Sequence, residues 1–134
     1  MAFRVLIVDD NRLMRDMVKR SVELSGLEIS CVDMANDGRE ALEKLRAAWY
    51  DLVLLDINMP VMNGEQFLQA LRSDLALRDT LVIVVSTESS VPRIARLREL
   101  GAGFVHKPFT PEELIAAVRA LLARPPIASR GETP

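Results

Sequence analysis

Residues 52–56, Leu52-Val53-Leu54-Leu55-Asp56, form a short apolar run that ends abruptly in a carboxylate. The run does not alternate polar with apolar residues, which favours a strand buried on both faces, as in a parallel sheet. Two similar runs, at 5–8 and 81–85, also stop at a polar residue. This repetition predicts a sheet whose inner strands are covered by helices on both sides.

Amphipathic helical patterns separate the apolar runs. The last of them is the clearest, with apolar residues at i, i+3, i+4, i+7 and i+8: Leu114, Ala117, Val118, Leu121 and Leu122. Thr110 and Glu113 before it have the spacing of a capping box. Weaker strands are expected at 29–34, on an edge, and at 104–105. Five strands that alternate with five helices predict right-handed βαβ crossovers, but two five-stranded topologies fit this pattern.

Composition narrows the functional classes. The chain has 134 residues, of which 49% are hydrophobic and 27% charged, and its net charge is −2. One folded domain over 1–124 with a flexible tail over 125–134 is expected, and the mild acidity argues against a nucleic-acid partner. Cys31 has no second cysteine to pair with. No apolar run reaches the roughly 18 residues of a membrane span, and no signal peptide is recognised, so we expect a cytoplasmic protein that does not contact membranes.

Polar side chains stand where the inner strands end: Asp9, Asp10, Asp56, Ser86 and Lys107. A single polar residue at the end of a strand would merely begin a loop. Because the carboxyl ends of parallel strands meet at one edge of the sheet, five of them favour a binding site. Three clustered carboxylates repel one another unless a cation neutralises them, and oxygen ligands suit Mg²⁺. A lysine opposite the metal is typical of phosphoryl transfer onto aspartate.

Four motifs together resemble the receiver domain of bacterial two-component response regulators. They are Asp9-Asp10, Asp56 followed by Asn58-Met59-Pro60 and Gly64, Ser86, and Lys107-Pro108-Phe109. The resemblance covers residues 3–123 and is greatest to CheY-like single-domain response regulators. It implies an α/β, flavodoxin-like (βα)5 fold, a doubly wound parallel five-stranded sheet with strand order 2-1-3-4-5.

The resemblance also implies roles for the site residues. Asp56 would be the phosphoacceptor. Asp10, Asp56 and the backbone carbonyl of Asn58 would hold Mg²⁺, and Asp9 would act through water. Lys107 would pair with the phosphoryl group, and the Lys107-Pro108 peptide bond is expected to be cis.

Further roles concern the switch and its lifetime. Ser86 would donate a hydrogen bond to the phosphoryl group, and Phe104 stands at the position of the family's switch aromatic. Asn58, Thr87 and Glu88 occupy positions that would influence the phosphoryl lifetime. The chain departs from the family pattern at Thr87, where Ala or Gly is usual, and in 101–104, which is one residue shorter.

The function expected from this resemblance is a stand-alone switch. It would accept a phosphoryl group from a histidine kinase or a histidine phosphotransfer protein and signal, in a chemotaxis-like way, through its fourth helix, fifth strand and fifth helix. At this length no output domain is expected, and no catalysis beyond its own phosphorylation and dephosphorylation. The sequence leaves open the kinase, the target, the pathway, the phosphoryl lifetime and the oligomeric state.

Other functions remain as alternatives. A phosphorelay shuttle between histidine phosphotransfer proteins fits the same residues. An aspartyl-phosphate phosphatase would need a second acid where Asn58 stands. A flavin-binding protein would need a phosphate-cradling loop where Asp9-Asp10-Asn11 places two carboxylates. A scaffold that is never phosphorylated is disfavoured, because every chemical residue is present.

Overall fold

The structure is a computed structural model that describes residues 2–57, 59 and 61–123. Within them, five helices alternate with the five strands of one parallel sheet, ordered β2-β1-β3-β4-β5. The elements are β1 Phe3–Val8, α1 Arg12–Leu24, β2 Ile29–Ala35, α2 Gly38–Ala47, β3 Leu52–Leu55, α3 Gly64–Ser73, β4 Leu81–Ser86, α4 Val91–Glu99, β5 Gly103–His106 and α5 Pro111–Leu122. The fold class and the strand order 2-1-3-4-5 are thereby confirmed.

The sheet separates two hydrophobic layers. Val53 and Leu55 of β3 face the layer that contains α2, α3 and α4, whereas Leu52 and Leu54 face the layer that contains α1 and α5. All four side chains are buried, because successive residues of a strand point to opposite faces and both faces are covered. This is why the inner strands appear in the sequence as continuous apolar runs.

The two edge strands are less buried, as their weaker patterns predicted. β2 lies at one edge and has mostly half-buried side chains, and β5 lies at the other. In the described part of the chain, no helix is long and apolar enough to cross a lipid bilayer. The predicted tail at 125–134 lies outside the described residues, and the domain boundary at 124 stays a prediction.

Local signals fix where the helices next to the site begin and end. Thr110 and Glu113 form the expected capping box at the start of α5. Gly101 ends α4 in the left-handed region at φ 82°, with its N–H bonded to the Arg98 carbonyl and the Ala102 N–H bonded to the Leu97 carbonyl. These two bonds are a Schellman motif, so residues 101–102 form a compact turn from α4 into β5.

One expectation about the core is wrong. In the sequence, a single helical stripe contains Met14, Met17, Val18, Ser21 and Val22, so both methionines are expected in the core, but the Met17 side chain is 56% exposed. Val18 and Val22 of the same stripe are buried against the sheet. Met17 lies at the margin of the stripe, where the helix surface turns towards solvent.

In the loop between β3 and α3, the backbone of Gly64 packs closely against Ile57, and Val61 has a strained conformation. A Cβ on Gly64 would stand 2.6 Å from the Ile57 Cα, so only glycine fits there. Val61 has φ 67°, a left-handed conformation that β-branched residues rarely adopt. The chain therefore carries local backbone strain a few residues after Asp56.

We predict that Val61→Asn stabilises the protein. Asparagine tolerates the left-handed conformation that valine disfavours by roughly 1–2 kcal/mol, so we expect the free energy of unfolding to rise by about 1 kcal/mol. The comparison is chemical denaturation of both proteins. Val91→Asn is the matched control, because Val91 is equally exposed (76% against 75%) but begins a helix. An equal gain in both variants would attribute the effect to the replacement of an exposed apolar side chain by a polar one, and not to relief of strain.

Candidate functional site

Four of the predicted site residues lie where strands end, at the carboxyl edge of the sheet. Asp9 follows β1, Asp56 follows β3, Ser86 ends β4 and Lys107 follows β5. Backbone bonds extend the sheet's pairing to these residues: the Asp56 N–H donates to the Val8 carbonyl at 2.9 Å, and the Lys107 N–H donates to the Ser86 carbonyl at 2.8 Å. The sheet itself therefore brings these side chains together, as the topology predicts.

Three carboxylates meet at the centre of this edge. Asp9, Asp10 and Asp56 each offer an oxygen, and the three oxygens lie within 4.8 Å of one another. Asp9 is buried, Asp56 is half-buried and Asp10 is exposed. Like charges this close repel, and hard oxygen donors are the ligands that Mg²⁺ prefers. The donor set therefore fits a divalent cation that one side of the site leaves open to water.

Asp9 is the anchored member of the three. Its Oδ1 accepts the Asn11 N–H at 2.9 Å, and its Oδ2 lies 3.4 Å from the Lys107 ammonium nitrogen. Arg15 donates to the Asp9 backbone carbonyl at 2.7 Å, which ties α1 to the end of β1. Because both carboxylate oxygens already have donors, Asp9 has less capacity for a direct metal bond than Asp10.

Ser86 supplies a buried hydroxyl beside the acids. Its side chain is almost fully buried, and its Oγ accepts the Glu88 N–H at 3.1 Å. Accepting that bond leaves the hydroxyl hydrogen able to donate towards the site. The Glu88 carboxylate in turn accepts the Ser90 N–H and an Arg93 guanidinium N–H, each at 3.0 Å. The sequence analysis did not predict the ion pair of Glu88 and Arg93. Its only sign in the sequence is an acid and an arginine on either side of Ser90, the N-cap of α4.

Phe104 lies on the same face of the sheet as Ser86. It pairs with Val84 across β4 and β5, while His106 pairs with Ser86, and residues two apart in a strand share a face. The Phe104 side chain is half-buried against the layer of α2, α3 and α4, and the centroid of its ring lies 6.5 Å from that of the His106 ring. A movement of the Ser86 side chain would therefore change the space next to the Phe104 side chain.

Three predicted features remain: Asn58, Thr87 and the Lys107-Pro108 peptide bond. Asn58 lies outside the described residues. Thr87 is exposed and lines a mostly apolar groove of about 330 Å³ that Met14, Met17 and Val18 of α1 form with residues 107–109. The Lys107-Pro108 peptide bond is cis, as expected.

Comparisons with known proteins agree with this geometry. A family model described as the response regulator receiver domain matches residues 5–119. Response regulator MprA of Mycolicibacterium vanbaalenii is 40% identical over 126 residues, 92% of this chain and 52% of that protein. Transcriptional regulatory protein PrrA of Mycobacterium leprae is 42% identical over 122 residues, 90% of this chain and 50% of that protein.

Solved structures agree as well. The chemotaxis protein CheY4 of Vibrio cholerae has a TM-score of 0.78 and 36% identity, covering 90% of this chain and 99% of that chain. The chain spans about half the length of the curated relatives that it matches.

We predict that Asp10→Asn weakens Mg²⁺ binding at least about tenfold, because it removes an exposed full charge from the ligand cluster. Asp9→Asn should weaken it less, since the Asp9 oxygens already accept from Asn11 and Lys107. Amide chemical shifts during Mg²⁺ titration measure both affinities. Glu23→Gln, a neutralised exposed carboxylate near the far end of α1, should bind like the unmodified chain. Unchanged binding in both aspartate variants would assign the acids a structural role only.

Proposed function

We propose that this chain, which belongs to the response regulator receiver domain family, accepts a phosphoryl group on Asp56 from a phosphohistidine of a histidine kinase or histidine phosphotransfer protein. The carboxylates of Asp9, Asp10 and Asp56 within 4.8 Å of one another, with the Lys107 ammonium against Asp9, carry the proposal. An Asp56 oxygen would form the new bond to phosphorus as the bond to the donor nitrogen breaks. Beyond its own phosphorylation and dephosphorylation, no enzymatic activity is proposed.

The metal ligands are assigned within the same proposal. Asp10, Asp56 and the backbone carbonyl of Asn58 would hold Mg²⁺, with Asp9 acting through water. When bound, the cation supplies positive charge beside the phosphoryl oxygens. Lys107 contributes the second positive charge, and moves from Asp9 to the phosphoryl group.

Charge balance explains why phosphorylation would act as a switch. Three carboxylates, Lys107 and one divalent cation are neutral together. Forming the acyl phosphate removes the charge of Asp56 and adds about two negative charges, which leaves a negative excess of about one. The Ser86 hydroxyl can partly compensate this negative charge by donating a hydrogen bond to a phosphoryl oxygen. Its movement would alter the bond from the Glu88 N–H and hence the loop that leads into α4.

The output surface proposed here consists of α4, β5 and α5. When Ser86 moves towards the phosphoryl group, space opens on the sheet face that it shares with Phe104. Since Phe104 is half-buried already, moving the rest of its ring inwards is worth about 1 kcal/mol, around half of a full burial. That biases a two-state equilibrium about fivefold.

The downstream partner has two candidates. The likeness to the chemotaxis protein CheY4, over nearly that whole chain, supports a chemotaxis-like protein target. The likeness to PrrA, named a transcriptional regulatory protein, supports control of transcription instead, and this chain covers about half of that relative. The expected absence of a nucleic-acid partner therefore gains no support. The phosphorelay shuttle and the cytoplasmic location stay predictions.

We predict that Asp56→Asn abolishes labelling by acetyl phosphate and Mg²⁺ without unfolding the protein. The bond from Asp56 to Val8 comes from the backbone N–H, so the substitution retains it. Intact mass measures the label, and circular dichroism checks the fold. Asp16→Asn, an exposed carboxylate of α1, should label normally. Stoichiometric labelling of folded Asp56→Asn would place the phosphoacceptor elsewhere.

A second prediction concerns the output surface. Beryllofluoride, which mimics the phosphoryl group, should shift the amide resonances of Arg96, Phe104 and Leu114 as well as those of the loops at the site. Phe104→Leu should reduce the shifts at Arg96 and Leu114, because a smaller side chain gains less by moving inwards. Phe109→Leu is the control, since Phe109 packs in the layer of α1 and α5. Shifts confined to the loops around Asp56 would exclude this surface as the output.

A further inference from the structure

An ion pair that the proposed function does not use joins the loop between β4 and α4 to the first turn of α4. Arg93 Nη1 lies 3.0 Å from Glu88 Oε2, and the two side chains are 28% and 19% exposed. The Glu88 N–H is bonded to Ser86 Oγ at 3.1 Å. The Glu88 carboxylate is thus separated from the site's hydroxyl by one hydrogen bond and one glutamate side chain.

We propose that Arg93 is a positioning residue that holds and neutralises the Glu88 carboxylate at the rim of the site, so that an anionic phosphodonor can approach Asp56. This inference rests on the proposed function and deepens it. The site already contains three carboxylates against the ammonium of Lys107. A fourth negative charge at the rim would add to the repulsion that the donor's phosphoryl group meets.

Distance and screening support an effect of this kind. At physiological ionic strength, charges are screened over about 8 Å, and Glu88 stands two positions after Ser86 with its N–H bonded to Ser86 Oγ, so the charge of its carboxylate acts on the site without complete screening. Two donors restrain the Glu88 carboxylate, because the Ser90 N–H binds Oε1 while Arg93 binds Oε2. The other arginine of α4 with an ion pair in the described residues, Arg96, pairs instead with Glu65 of α3.

The inference predicts opposite changes in two measurements. Arg93→Ala leaves the Glu88 charge uncompensated, so it should slow labelling of Asp56 by acetyl phosphate and strengthen Mg²⁺ binding. Each change should be about twofold to fivefold, as for a partly exposed charge interaction. Glu88→Gln alone should change both in the reverse directions. A variant that merely damaged the site would lose both metal binding and labelling.

Further variants separate charge from structure. The double variant Glu88→Gln with Arg93→Ala should restore both values, and Arg93→Lys should retain them because it retains the charge. The defect of Arg93→Ala should shrink at high salt and with phosphoramidate, a less negatively charged donor than acetyl phosphate. Arg98→Ala, an exposed arginine five residues further along α4, changes the net charge equally and should have little effect.

The results that overturn the inference differ from those that overturn the proposed function. If Arg93→Ala labels and binds Mg²⁺ like the unmodified chain, or if both values fall and the double variant does not restore them, Arg93 is not a positioning residue. Either result leaves Asp56 as the phosphoacceptor. If instead folded Asp56→Asn still labels, the proposed function fails, while the change in Mg²⁺ affinity continues to test the electrostatic effect of Arg93.

Discussion

Repulsion among the carboxylates of Asp9, Asp10 and Asp56 is the constraint on which this edge of the molecule depends. Three acids with oxygens within 4.8 Å of one another would separate if they stood on mobile segments. They remain together because β1 and β3 are adjacent strands buried on both faces. The Asp56 N–H, bonded to the Val8 carbonyl, continues the pairing of β3 with β1, and the Asp9 N–H, bonded to the Ala35 carbonyl, continues that of β1 with β2. The apolar runs of the inner strands therefore hold the acids in a geometry that electrostatics alone opposes.

Lys107 connects this acidic centre to the other half of the sheet. Its side chain lies against Asp9, at the end of β1, while its backbone N–H is bonded to the Ser86 carbonyl, at the end of β4. A group that draws the ammonium away from Asp9 also acts on the segment paired with Ser86. The lysine and the serine are thus mechanically joined before any phosphoryl group is present. This connection gives the proposed switch its two responding residues.

The parts of the fold that the sequence predicted share one physical basis. Continuous apolar runs indicate strands buried on both faces, and side chains such as Asp56 mark where each run stops. The strand order did not follow from this periodicity, because the pattern records burial and not which strands are neighbours. It was implied by the family resemblance that the motifs at the strand ends carry. Met17 was misplaced because periodicity locates the centre of an apolar stripe better than its margin.

The pair of Glu88 and Arg93 shows why sequence reasoning did not reach all of the site. They stand five positions apart, which is not the i, i+4 spacing of a helical ion pair, because the chain turns at Ser90 before α4 begins. On a helix read by itself, Arg93 would only add, with Arg96 and Arg98, to the basic and solvated character of α4. The turn brings it back against the loop, where its charge faces the carboxylate of Glu88, whose backbone N–H is bonded to Ser86 Oγ. The arginines of α4 therefore serve two surfaces, the exposed side of the helix and the rim of the proposed phosphorylation site, and only the path of the backbone distinguishes them.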